Sequence, residues 1–185
     1  MNVIATDLPG VLILEPRVFR DGRGWFGESW RRERYAEAGL PAEFVQDNVS
    51  RSSRGVLRGL HLQNPRPQGK LVTVLDGLVW DVAVDLRAGS PHFGRWTAVE
   101  LCGDTLRQFW VPPGFGHGFV VLSAEAVFSY KCTNVYDAAA EFGVRYDDPD
   151  LAIPWPMGAP QLSAKDAALP RLRDIPRERL VPYAG

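Results

Sequence analysis

The stretch from Leu71 to Leu86, L-V-T-V-L-D-G-L-V-W-D-V-A-V-D-L, leaves this chain few structural options. Two apolar runs rich in Val and Leu flank Asp76-Gly77, the strongest short-range hairpin signal, which favours a two-residue type I′ turn. Such a turn would set Leu75 opposite Leu78, Val74 opposite Val79, Val72 opposite Asp81 and Lys70 opposite Ala83. Side chains alternate across a strand, so Lys70, Val72, Val74, Val79, Asp81 and Ala83 are expected on one face. Trp80, Val82 and Val84 then fill the other. Lys70 would lie diagonal to Asp81, within ion-pair reach, and an acid there would keep its amine protonated.

The rest of the chain has the same texture. Gly and Pro, 18 and 15 in number, recur at short intervals and leave little room for long helices. Short runs rich in Val, Leu, Phe and Trp lie between these turn signals, the pattern of a sandwich or barrel. Strands are expected at 11–15, 44–50, 57–62, 71–75, 78–86, 96–101, 107–111, 118–123 and 126–133. One helix is expected around Arg31–Ala38, and a short one after Ser163, whose hydroxyl can cap it. No repeat, low-complexity tract or linker interrupts residues 1–185, which read as one all-β domain.

Composition narrows the partners. A formal net charge of -1 argues against a nucleic-acid footprint and gives no membrane-surface signal. No apolar stretch approaches the ~20 residues that span a bilayer. Cys102 and Cys132 are isolated, so no disulfide framework is expected and a reducing compartment fits better. The N-terminus lacks a basic segment followed by a long apolar run. The expectation is a soluble cytoplasmic protein.

Several polar residues stand out against this apolar background. His61 follows an apolar strand, three positions after Arg58. His117 lies in P-P-G-F-G-H-G-F, read as a Gly-rich turn entering a strand. Tyr130 shares a strand face with Phe128, and a phenol facing a polar cavity is a competent proton donor. Asp166 falls near the expected helix start, where an acid favours the helix dipole. Arg23, Phe26 and Glu28, in R-G-W-F-G-E-S, would project from one face of an extended segment. Gln46-Asp47-Asn48 is a polar triplet suited to an anion or sugar. Each has a plain structural explanation too: a satisfied strand histidine, a core aromatic, a solvated lysine, a capping acid, a loop-capping triplet.

Gly55, five residues and His61, then Lys70 and, after six more, Gly77, resemble the first motif of the cupin barrel. P-P-G-F-G-H, ending at His117, resembles the second. The resemblance implies a cupin-type jelly-roll β-barrel with short peripheral helices, and His61 pointing inward. A metal-binding cupin has His-x-His and a Glu where this chain has His61, Gln63 and Lys70. A cationic Lys70 cannot replace a carboxylate and Gln63 is a poor substitute for imidazole, so no metal is expected. That disfavours a metal-dependent oxygenase. An imidazole beside an ammonium suits proton chemistry next to an oxyanion.

A more specific resemblance runs from about Met1 to Tyr183 through ordered blocks, among them E-P-R-V-F-R-D-G-R-G-W-F-G-E-S, F-V-Q-D-N-V-S-R-S-S-R-G-V-L-R-G-L-H, Q-G-K-L-V-T-V, W-V-P-P-G-F-G-H-G-F, Y-K-C-T-N-V-Y and L-S-A-K-D. These resemble the dTDP-4-dehydrorhamnose 3,5-epimerase family. The resemblance implies conversion of dTDP-4-keto-6-deoxy-D-glucose to its C3, C5 epimer, in dTDP-L-rhamnose biosynthesis. It implies a base at His61 with Asp166 as its carboxylate partner, a proton donor at Tyr130 and a substrate contact at Lys70, which the chemistry of a 4-keto sugar then sets at the enolate oxygen, charged by Asp81. It also implies substrate contacts at Arg23, Phe26, Glu28, Gln46, Asp47, Asn48, Arg58, His117, Tyr136, Glu141 and Lys165. Arg23, Arg58 and Lys165 would take the diphosphate. Epimerisation involves no net redox change, so no cofactor is expected, and family members are usually homodimers. Gly27, Leu62, Pro113 and Gly116 depart from the family's usual Phe, Tyr, Glu and Ala, which leaves room for a relative that inverts one centre. The alternatives are a mono-epimerase or ketoisomerase on a related sugar and, in another class, a non-catalytic cupin that binds a sugar nucleotide.

Overall fold

Apolar runs that bury both faces of a strand need cover on both sides. In the computed structural model, which describes residues 1–184, two sheets and two outer layers provide it. In chain order the elements are β1 (Asn2–Ala5), β2 (Leu12–Glu15), β3 (Val18–Asp21), β4 (Gly24–Gly27), α1 (Arg32–Glu37), β5 (Gln46–Ser53), β6 (Leu57–Gln63), β7 (Lys70–Asp76) and β8 (Leu78–Asp85). They continue with β9 (Trp96–Cys102), β10 (Gln108–Val111), β11 (Phe115–Val121), β12 (Glu125–Cys132), β13 (Glu141–Gly143) and α2 (Ala164–Ala167). One sheet has six strands in the order β1-β2-β10-β7-β12-β5 and the other five, β13-β6-β11-β8-β9. This is the jelly-roll arrangement of the cupins, nearly all β, with two short helices outside it.

The expected hairpin at Asp76-Gly77 does not form. β7 pairs with β10 and β12, whereas β8 pairs with β11 and β9, so the dipeptide carries the chain from one sheet to the other. Gly77 does take the left-handed conformation the dipeptide promised, at φ +83°. Its turn is seated against the β11–β12 connection, where Ser123 Oγ accepts the Leu78 N–H at 2.8 Å. Burial explains the split. In a hairpin the two inward faces would lie side by side in one sheet. Split, Val72 and Val74 meet Val79 and Ala83 across a shared core, while Leu71 packs among the residues around α1 and Val82 and Val84 beneath the C-terminal segment. Complete burial is worth ~1.5–3 kcal/mol for each such side chain, more than a turn preference supplies.

The interior holds three apolar layers. Between the sheets lie Val72, Phe109, Val111, Phe119, Val121 and Phe128. Outside the six-stranded sheet, Tyr35 and Leu40 pack on Leu14, Leu71 and Trp110, and the Tyr35 hydroxyl donates to Gln108 at 2.7 Å. Outside the five-stranded sheet, Leu151, Ile153, Leu172, Ile175 and Leu180 cover Leu60, Leu62, Val82 and Val84. Phe109 is fully buried, so Phe109→Ala should lower the unfolding free energy by about 3–5 kcal/mol, measured by urea denaturation.

Four strands have no counterpart among the expected ones: β1, β3, β4 and β13. β3 and β4 form a separate two-stranded hairpin, and Phe19, Trp25 and Phe26 are exposed there. Among the described residues no helix is long and apolar enough to cross a membrane.

Candidate active site

The polar residues converge through a fault in the β6–β11 ladder. His61 is paired with His117, but Arg58 is paired with Phe119: two steps along β11 match three along β6. Strict alternation would put Arg58 and His61 on opposite faces. The extra residue of this bulge turns both inward, the re-aiming for which bulges are used. It exists because the backbones almost touch. Gly59 sits at φ +121°, and a Cβ there would lie 2.5 Å from Gly118 Cα and 2.7 Å from the His117 carbonyl oxygen. A Cβ on Gly118 would lie 2.7 Å from the Arg58 carbonyl oxygen. Only glycines permit this crossing. The same pairing places His117 within β11, not in a turn before it.

Arg58 and His61 open onto a cavity of about 380 Å³ between the sheets. β5 supplies Asn48 and Ser50, β7 Lys70, β11 His117 and Phe119, and β12 Phe128 and Tyr130. Ser163, Lys165 and Asp166 line it from the start of α2. Phe119 and Phe128, stacked at 3.9 Å between ring centroids, belong both to this lining and to the core.

His61 Nε2 lies 2.5 Å from Asp166 Oδ1. Ser163, the cap of α2, accepts the Asp166 backbone N–H at 3.0 Å and donates its hydroxyl to Asp166 Oδ2 at 2.9 Å. Burial opposes ionisation of Asp166, but the hydrogen bonds from His61 and Ser163 outweigh it and hold the carboxyl below its usual range. An ionised Asp166 can only accept, so Nε2 carries the proton and Nδ1 is left free as a base.

A second histidine–carboxylate pair lies deeper. His117 Nε2 is 2.8 Å from Asp81 Oδ1, and Asp81 Oδ2 has no hydrogen-bond partner among the described residues. Burial pushes the Asp81 carboxyl up, against the pull of His117. The charge of Asp81 still favours a protonated Lys70, the sense expected. Lys70 and Asp81 do share one interior, but from opposite sheets, and the hydrogen bond of Asp81 goes to His117. Desolvation pushes the Lys70 amine below its usual value, and the nearby Cys132, Glu141 and Asp81 oppose this only in part. Tyr130 is half-buried and desolvation raises its phenol, which keeps it protonated and ready to donate.

Other expected contacts fall elsewhere. Alternation along β5 turns Asp47 outward, where it pairs with Lys131 at 2.9 Å, while Gln46 and Asn48 turn inward. Gln46 holds the Tyr136 backbone N–H at 2.7 Å and donates to Asn48. Arg23, Phe26 and Glu28 are away from the cavity. Arg23 is bound to Asp21 on the β3–β4 hairpin, Phe26 is 70% exposed there, and Glu28 accepts from Arg34. Gln63 is buried, and its amide is spent on the Arg66 and Val135 carbonyls and the Asp137 N–H. Tyr136 and Lys165 both donate to Glu141 Oε2. Ser50, Ser52 and Ser163 were not singled out as site residues. Ser52 Oγ accepts from the Arg58 guanidinium at 3.1 Å, and the polar alternation Gln46, Asn48, Ser50, Ser52 was the signal for that wall.

Comparison with known proteins places the chain in a family. The sequence profile of the dTDP-4-dehydrorhamnose 3,5-epimerase family matches residues 5–174. A dTDP-4-dehydrorhamnose 3,5-epimerase from Shigella flexneri is 53% identical over 168 residues, which cover 90% of this chain and 93% of the relative. A dTDP-4-dehydrorhamnose 3-epimerase from Streptomyces niveus is 44% identical, over 90% of this chain and 81% of the relative. The crystal structure of a dTDP-6-deoxy-D-glucose-3,5-epimerase from Legionella pneumophila, in complex with dTDP-4-keto-L-rhamnose, superposes with a TM-score of 0.97 at 54% identity, covering 100% of this chain and 99% of that one. In sequence and in fold alike, this chain belongs to the dTDP-4-dehydrorhamnose 3,5-epimerase family.

Proposed function

We propose that this protein inverts C3 and C5 of dTDP-4-keto-6-deoxy-D-glucose to give dTDP-4-dehydro-L-rhamnose. The observation that carries this reading is the convergence of His61, seated on an ionised Asp166, with Lys70 and Tyr130 on one cavity. The 4-keto group acidifies the hydrogens on its neighbouring carbons. His61 removes one through Nδ1 while Asp166 stabilises the imidazolium. Lys70 meets the enolate oxygen, with His117 as a second donor. A desolvated ammonium is a stronger donor than a hydrated one, and a preorganised donor of this kind is often worth ~10²–10³ in rate. Tyr130 returns a proton from the opposite face of the ring, which inverts the centre.

Arg58 and Lys165 serve the diphosphate, since both are cationic and both line the cavity. The chain acts as a homodimer. Exposed Val3 and Ile4 on the edge strand β1, and the aromatics of the β3–β4 hairpin, provide the apolar surface for that pairing. Arg23, Phe26 and Glu28, remote from the cavity of their own chain, then serve the substrate of the partner.

Incubation with dTDP-4-keto-6-deoxyglucose in heavy water, read by NMR, should give a product carrying deuterium at both C3 and C5. Exchange with inversion at one centre alone would make the enzyme a mono-epimerase, as the 3-epimerase relative is named. Absence of exchange at either carbon would overturn the reading. Tyr130→Phe should retain exchange better than it retains inversion at C5, and equal loss of both would remove Tyr130 from the donor role.

A further inference from the structure

The chemistry proposed above leaves an unsolved account of protons, and the inference below rests on that reading. One inversion moves a proton from carbon to His61 and another from Tyr130 to carbon. It therefore ends with an imidazolium and a phenolate. A second inversion by the same pair needs a neutral imidazole and a neutral phenol. Tyr130 can regain its proton from water. His61 must lose one, and its side chain is only 22% exposed even with the cavity open.

A cluster beside His61 offers another way out. Glu141 Oε1 lies 3.9 Å from His61 Nδ1, the nitrogen that Asp166 leaves free, so a small torsional adjustment of either side chain closes a hydrogen bond. The other oxygen of the same carboxylate, Oε2, accepts from the Tyr136 hydroxyl at 2.7 Å and from Lys165 Nζ. Tyr136 is exposed and so is half of the Lys165 side chain, whereas Glu141 is largely enclosed. Glu141 thus has one oxygen toward the base and one toward groups that meet water, and it stands beside His61 without lining the cavity.

We propose that Glu141, with Tyr136 and Lys165, carries the proton of His61 to solvent between the two inversions. The imidazolium N–H breaks at Nδ1 as an O–H forms on Glu141 Oε1. The carboxylic acid then loses its proton to water at the Tyr136 and Lys165 side, and neutral His61 is restored. Nothing is oxidised or reduced, and each round delivers one carbon-derived proton to bulk water. A residue that hands on a proton in this way sets how many centres are inverted per binding event, and only indirectly how tightly the sugar binds.

The test is Glu141→Gln, which keeps size and hydrogen bonding but cannot accept the proton. Single turnovers in heavy water, quenched and counted for deuterium at each carbon, should give the doubly exchanged product with the unaltered protein. Glu141→Gln should lower the ratio of doubly to singly exchanged product about tenfold, and formate or azide at about 100 mM should restore it, as small acids replace a missing proton carrier. Tyr136→Phe, at an exposed site, should shift the ratio in the same direction, and serves as the test if Glu141→Gln does not fold. An unchanged ratio in the variant, or a fall that no small acid restores, overturns the relay and leaves Glu141 a positioning residue. Absence of exchange by the unaltered protein would instead sink the epimerase reading itself.

Discussion

Replacing His61 by Asn is expected to cut solvent-deuterium incorporation at C3 and C5 by at least ~10³-fold while leaving sugar-nucleotide binding within a few-fold. A positioned general base is worth ~10²–10⁴ in rate, and this one has no substitute within the cavity. His117 is the nearest other imidazole, but its Nε2 is tied to the buried Asp81 and the pair lies deeper than His61. Asn is close to His in size and keeps a group able to bond Asp166, so the walls around it should stay in place. Exchange rates from NMR and binding from calorimetry check the two halves separately. Near-normal exchange in His61→Asn would remove this residue from the base role.

The second large effect is structural. Gly59→Ala should destabilise the protein by at least ~3 kcal/mol, because its methyl would be placed inside backbone atoms that no rotamer can move. The left-handed φ of Gly59 adds strain of its own for an L side chain. Relief requires β6 and β11 to part, which undoes the bulge and returns Arg58 and His61 to opposite faces. Activity should therefore fall further than the loss of folded protein accounts for. Gly118→Ala should behave alike. Gly158→Ala is the control: its Cβ would meet nothing within 4 Å, and a change within ~0.5 kcal/mol is expected. Urea midpoints of the three variants give the comparison, and a Gly59→Ala midpoint equal to that of Gly158→Ala would contradict the tight crossing.

Much of this was legible beforehand, and the exceptions have physical causes. The long strands other than β5 were readable because they bury apolar runs, and Ser163 caps the short helix as expected. β1, β3 and β4 were not, since they lie on the surface or form an isolated hairpin, where no burial imposes alternation. Asp76-Gly77 misled because a dipeptide reports the local turn and not which sheet each strand joins. It specified the left-handed glycine correctly and the pairing wrongly. The inward set of Lys70, Val72, Val74, Val79, Asp81 and Ala83 survived because alternation holds within each strand whatever its partner. Asp81 still favours a charged Lys70, but its hydrogen bond goes to His117, because a hydrogen bond depends on the three-dimensional neighbour. The convergence of Arg58 with His61 was visible only as a spacing of three. Its cause, a bulge forced by facing glycines, needs both strands at once.

Double inversion requires two side chains working on opposite faces of one sugar ring, with an ammonium at its ketone oxygen. A crystal structure with a dTDP-sugar that lacks the 4-keto group and cannot react tests this directly. His61 Nδ1 is expected near one face of the ring, the Tyr130 hydroxyl near the other, and Lys70 Nζ within hydrogen-bond reach of the oxygen on C4. Both groups on the same face, or Lys70 turned away from that oxygen, would contradict it.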